Sequence, residues 1–108
     1  MMPPSMRCSK NEVVLLPIPF TDLTSRKVRP AVVVGLNGVD LFLVPITSQL
    51  ANADFPLQDW KAAGLNVPCG IKAQIATVEA DLVVKSIGRL TKVDEQKLAE
   101  RLRVWLGM

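Results

Sequence analysis

Apolar residues in this chain gather in short runs, many of them β-branched, separated by polar stretches and by proline or glycine. Glu12 to Phe20 (Glu-Val-Val-Leu-Leu-Pro-Ile-Pro-Phe) begins as a buried strand. Pro17 and Pro19 then remove ladder donors, so the strand ends there or runs along an edge. Thr21 to Lys27 is a polar loop. Val28 to Gln49 predicts a hairpin, because two apolar runs flank Asn37-Gly38, and those residue types accept the positive φ angles of a type I′ turn. With that turn Leu36 pairs with Val39. Counting back places Ala31 opposite Val44, Arg29 opposite Ile46 and Val28 opposite Thr47. Leu50 to Pro56 reads as irregular. Leu57 to Gly64 predicts a short helix stopped by Gly64. Val67 to Thr77 reads as extended, with Gly70 marking a bulge or a close backbone approach. Glu79 to Asp81 is a turn, and Leu82 to Leu90 a strand bent at Gly88. Thr91 and Asp94 match a capping box, so a helix starts there. Leu98, Leu102, Trp105 and Leu106 make its apolar stripe, with Gly107 as the stop. Five or six short strands and one packed helix predict a mainly β fold: a small β-barrel with a C-terminal helix.

Length and composition narrow this further. A chain of 108 residues supports one modest core, with residues 1–10 as a loose tail and 11–108 as a single domain. Apolar residues make up 49% and mean hydropathy is +0.28, high for a small monomer. No apolar run approaches the ~20 residues of a membrane span, so the excess is assigned to a homodimer interface. The opening Met-Met-Pro-Pro-Ser-Met-Arg has neither the apolar core nor the cleavage site of a secretion signal, and the expected compartment is the cytosol with reduced thiols.

Thirteen basic against ten acidic residues give a net charge of +3, and the distribution says more than the sum. Arg26, Lys27 and Arg29 converge on the hairpin mouth, while Asp94, Glu95 and Glu100 fall in the C-terminal helix. Cys8 and Cys69 form no CxxC pair and histidine is absent. The common Cys/His zinc patterns and Ser-His-Asp or Cys-His catalysis are therefore excluded. Neither a metal nor a cofactor is expected. The chain has no tyrosine, and most of its few aromatic residues sit in apolar runs, which argues against a stacking platform or a proline-ligand groove. Trp60 reads as a packing anchor.

The hairpin mouth gathers Arg29, Thr47, Ser48 and Gln49. A guanidinium beside two hydroxyls and an amide suits a phosphate, although a hairpin closed by a structural arginine and threonine fits the same spacing. Strict alternation points Arg29 and Thr47 to opposite faces. A bulge or strand end near Pro45 is therefore expected to turn Thr47 toward Arg29. Cleaving RNA through its 2′-hydroxyl needs a base, stabilisation of the phosphorane and protonation of the leaving oxygen. Preorganised donors supply much of the stabilisation. Without histidine no side chain has an unperturbed pKa near neutral, leaving geometry or a shifted carboxylate such as Glu12 or Asp22. Modest turnover follows.

Taken in order, the run from Glu12 through Phe20-Thr-Asp-Leu to Arg29-Pro-Ala, then Leu43-Val-Pro-Ile-Thr-Ser-Gln, Trp60-Lys-Ala-Ala-Gly-Leu and Ile87-Gly-Arg-Leu resemble the PemK/MazF toxins of bacterial toxin–antitoxin modules. The resemblance runs from about Asn11 to Leu106. It implies an SH3-like β-barrel with a C-terminal helix, forming a homodimer that binds single-stranded RNA along its interface. It further implies a cytosolic, metal-independent endoribonuclease that leaves a 2′,3′-cyclic phosphate and a 5′-hydroxyl, and an antitoxin that blocks the groove with an extended, usually acidic segment. Arg29 falls on the family's catalytic arginine and Thr47 on its catalytic threonine. Arg26, Lys27, Ser48, Gln49, Lys72 and Gln74 are the expected RNA-binding residues. Asn11-Glu12 replace the usual Gly-Asp. Lys72 and Gln74 stand where some plasmid-borne members carry an arginine and an aspartate, and a glutamine cannot abstract a proton. Two alternatives stay open on these residues: a decayed toxin that binds RNA or antitoxin without cutting, and a gyrase inhibitor of the same barrel acting through Trp105-Leu-Gly-Met.

Overall fold

The computed structural model describes residues 8–17 and 27–108. Its strands are β1 (Glu12–Pro17), β2 (Val28–Asn37), β3 (Asp40–Thr47), β4 (Phe55–Pro56), β5 (Gly70–Ile71), β6 (Ala76–Glu79) and β7 (Lys85–Arg89), followed by helix α1 (Lys92–Trp105). They form one sheet in the order β4-β5-β3-β2-β1-β7, with β6 also paired to β3. All the pairings are antiparallel. In β1, Val13, Val14 and Leu16 are all fully buried, because the central strands are covered on both faces. Val13, Val32, Val44 and Ile46 pack with Phe55, Ile71, Leu90 and Leu98 of the helix side. Val14, Leu16, Ala31, Val33 and Leu43 pack with Ala80 and Val83 on the other.

The mainly β fold with a C-terminal helix is as the sequence predicts, but the sheet is open rather than a closed barrel, with β4 and β7 as its edges. The turn at residues 58–64 packs against β7 beyond this open path. Ala63-Gly64 and Ile87-Gly88 cross so tightly that a Cβ on Gly64 would stand 2.1 Å from the Ile87 carbonyl oxygen, and one on Gly88 2.3 Å from that of Ala63. Backbone packing through two glycines here takes the place of strand pairing.

Several local expectations change. Leu57 to Gly64 forms one helical turn rather than a helix. Leu65 N–H reaches back to Trp60 O and Gly64 N–H to Lys61 O, a Schellman closure with Gly64 at φ +94°. The same closure ends α1, where Met108 N–H donates to Arg103 O and Gly107 N–H to Val104 O. The capping box does not form. Thr91 is the N-cap, but its hydroxyl donates to Asp59 Oδ2 at 2.7 Å. Asp94 is buried and accepts the backbone N–H groups of Gln58 and Asp59, each at 2.9 Å. A carboxylate with partners on its own helix in the sequence pattern instead fastens the 58–64 turn to that helix. Leu98 and, in part, Leu102 and Trp105 join the core, whereas Leu106 is exposed. Arg89 ties down Ser9 and the Lys10 carbonyl at the chain's start.

Candidate functional site

The hairpin differs from expectation by one residue, and that residue decides what meets at its mouth. The turn is Gly38-Val39, with Asn37 paired to Asp40 and only Gly38 at positive φ, as in a type II′ turn. A bulge between Val33 and Gly35 then shifts the register, giving Val33↔Leu43, Val32↔Val44 and Ala31↔Pro45. Gly35 leaves room there for the Phe42 ring, whose Cδ2 would lie 3.1 Å from a Cβ at that position. Pro45 stays inside β3, but the β2–β3 ladder ends there, at Ala31↔Pro45, two residues before the strand itself ends. Extrapolated two residues past the end of that ladder, the register would set Arg29 opposite Thr47, and opposed residues share a face; both line the same groove. The bulge expected near Pro45 lies at Val34 instead, and it brings the two residues to one side.

Arg29, Thr47, Ser48, Gln49 and Lys72 line a single open groove of about 980 Å³. Arg29, Ser48 and Gln49 are exposed and Thr47 is half-buried. Thr47 Oγ1 accepts the Gln49 backbone N–H at 3.0 Å, which fixes the oxygen and leaves the hydroxyl proton to donate elsewhere. Gln49 Oε1 accepts from the Asn52 side chain at 2.8 Å, so the Gln49 amide is oriented by the short turn that follows. The Gln49 backbone amide, engaged with Thr47, is not spare as a phosphate donor.

Lys27 is exposed and does not line this groove. Arg26, Asp22 and the rest of residues 18–26 lie outside the described residues. Gln74 is also off the groove. Lys72 and Gln74 do not share the face of one strand. They flank a tight turn between β5 and β6 in which Gln74 N–H donates to Lys72 O at 2.9 Å, and only Lys72 points its residue into the groove wall. Glu12, a candidate base, accepts instead from the Ser9 backbone and hydroxyl. Among the described residues the groove lining holds no carboxylate. It does hold a cation that the sequence pattern did not select, Lys85 on β7, brought in by the pairing Lys85↔Leu15 and Leu15↔Pro30.

Neither thiol is poised as a nucleophile. Burial pushes the Cys69 thiol up, and burial followed by the charge of Glu12 does the same for Cys8. No group of three or more metal-ligating side chains occurs among the described residues. Trp60 and Trp105 are partly buried and pack against the core, so the C-terminal tryptophan is not displayed for a partner. No helix among the described residues is long and apolar enough to cross a membrane.

A family model described as "PemK-like, MazF-like toxin of type II toxin-antitoxin system" matches residues 9–106. Two solved structures are similar in fold. One is an endoribonuclease in complex with its cognate antitoxin from Mycobacterial species, at 17% identity over 92% of both chains and a TM-score of 0.67. The other is an endoribonuclease from Mycobacterial species, at 19% identity over 92% of this chain and 90% of that one, also with a TM-score of 0.67. A sequence comparison with curated proteins gives no match.

Proposed function

Because the chain belongs to the PemK/MazF-like toxin family of type II toxin–antitoxin systems, we propose that it is a metal-independent endoribonuclease that cuts single-stranded RNA and is neutralised by a cognate antitoxin. The observation that carries this is the juxtaposition of Arg29 and Thr47 on neighbouring strands of one open, cation-lined groove. In the reaction the ribose 2′-oxygen gives its proton to solvent water and attacks the adjacent phosphorus. The phosphorane collapses to a 2′,3′-cyclic phosphate, and the 5′-oxygen leaves with a proton.

Arg29 supplies a permanently charged fork for the non-bridging oxygens. Thr47, with its oxygen held by the Gln49 amide, donates its hydroxyl proton to the same phosphate. Ser48, Gln49 and Lys72 bind the strand on either side, and Arg26 and Lys27 are assigned to RNA binding from their place in the sequence alone. The described groove offers no general base, so turnover is modest and rests on electrostatic preorganisation. The functional unit is a cytosolic homodimer of the domain beginning near Asn11.

The test is cleavage of single-stranded RNA by purified protein in EDTA, with product ends analysed. Fragments ending in a cyclic phosphate and a 5′-hydroxyl are expected, at a rate unchanged by the chelator and lost in Arg29→Ala. Intact RNA alongside unimpaired antitoxin binding would instead mark a decayed toxin.

A further inference from the structure

The three cations of the groove come from separate strands, or just beyond them, that meet at one end of the sheet. Arg29 is on β2. From its neighbour Pro30 the register runs to Leu15 on β1 and on to Lys85 on β7, which sets Lys85 on the face of Pro30. Arg29 and Lys85 share the groove because it opens at the strand ends and takes residues from both faces. In the other direction Ala31 pairs with Pro45 on β3, whose carbonyl accepts the Lys72 N–H at 3.0 Å just beyond β5. Each lysine therefore stands two strand positions from β2, about 10 Å measured along the curved sheet at ~4.8 Å per strand, and on opposite sides of it. Both line the groove, whose described lining carries no negative side chain. Lys85 is exposed on an edge strand and belongs to neither core cluster.

We infer that Lys85 is a positioning residue that anchors a phosphate flanking the one held at Arg29. Lys72 takes a phosphate on the far side, so that the RNA strand crosses the strand ends roughly perpendicular to β2. This rests on the ribonuclease reading above and adds the path of the substrate and the residue that fixes it. Three cations on or just beyond separate strands, with a guanidinium on the strand between the two lysines, suit separate phosphates along one RNA strand better than one shared phosphate. An ammonium on a flexible stem binds phosphate as a point charge, so Lys85 adds affinity and register without reading bases.

Binding is measured with a fluorescent single-stranded RNA oligonucleotide carrying 2′-O-methyl groups throughout, which lacks the attacking hydroxyl, over a series of salt concentrations. The proteins are the wild type, Lys85→Ala, Lys85→Arg and Lys92→Ala, an exposed lysine on α1 outside the groove. Lys85→Ala is expected to bind more weakly, with the slope of log affinity against log salt reduced by about 0.7. Lys85→Arg restores the slope and Lys92→Ala leaves it unchanged. On cleavable RNA, Lys85→Ala raises KM and leaves kcat unaltered. A wild type that binds with the same slope and affinity as Lys85→Ala overturns the inference, as does a fall in kcat without a change in KM. A folded wild type that fails to bind the oligonucleotide at low salt overturns the ribonuclease reading itself.

Discussion

The seam beneath α1 and the groove at the hairpin mouth both carry charge, and they treat it in opposite ways. At the seam polar groups are matched. Asp94 takes two backbone N–H groups, Thr91 bonds Asp59, Asn11 bonds Glu95 at 3.0 Å, and Arg101 grips Asp54 at 2.6 and 3.1 Å. In the groove Arg29, Lys72 and Lys85 share a lining with no carboxylate among the described residues. Matched groups fix one element against another, and their removal should be felt as lost stability. Cations of one sign gathered without counter-charges attract an anion, and their removal should be felt as lost binding or rate.

Arg29→Ala draws that line most sharply. Losing one preorganised donor costs about 10²–10³-fold in kcat. Arg29 is exposed, so a thermal melt of the same variant should stay within about 0.5 kcal/mol of wild type. A large loss of Tm would place Arg29 among the structural groups and blur the contrast. Gly64→Ala tests the seam from the packing side. Its Cβ would collide with backbone at Ile87, in a φ +94° conformation that alanine resists. Overpacking of this kind costs about 1–3 kcal/mol before the backbone strain is added, and the melt should show it as the largest stability loss of the set.

Asp94→Ala should come next. It leaves the Gln58 and Asp59 amides without their acceptor, at about 1–3 kcal/mol. The smallest effect is expected at Asp54. The hydrogen bond from Arg101 holds its carboxyl below the usual aspartate range. A pKa lowered by folding gives stability that is present above the unfolded value and fades as pH falls through the lowered one. Tm curves of wild type and Asp54→Asn should therefore differ slightly at neutral pH and converge on acidification. Curves that diverge in acid would reverse the sign assigned to this pair.

Legibility in the sequence followed the range of the interaction. The hairpin, the C-terminal helix and the Gly64 and Gly107 stops all depend on neighbours a few residues away; the close approach at Gly70 is to a segment distant in sequence and was legible only because glycine itself marks it. At Gly70 a Cβ would meet Ala53 Cβ at 2.6 Å. The bulge at Val34 was missed because the prolines at the mouth offered a nearer reason for irregularity, while its actual companion is the fit of Gly35 to the Phe42 ring. Asp94 was misassigned because its spacing from Thr91 satisfies a local cap, and only the folded chain brings Gln58 and Asp59 closer competitors. Lys85 escaped notice for the same reason. Its place in the groove follows from the pairing of β7 with β1, which itself shifts register between Val13 and Val14.

The central claim is that Arg29 and Thr47 act on one phosphate in one transition state, and a double-mutant cycle on RNA cleavage tests it most directly. Single-turnover rates would be compared for wild type, Arg29→Ala, Thr47→Val and the double variant. Groups acting as a unit give a double variant scarcely slower than the worse single one, a coupling of about 0.5–3 kcal/mol. Losses that simply add would show two independent contributions and contradict the shared phosphate.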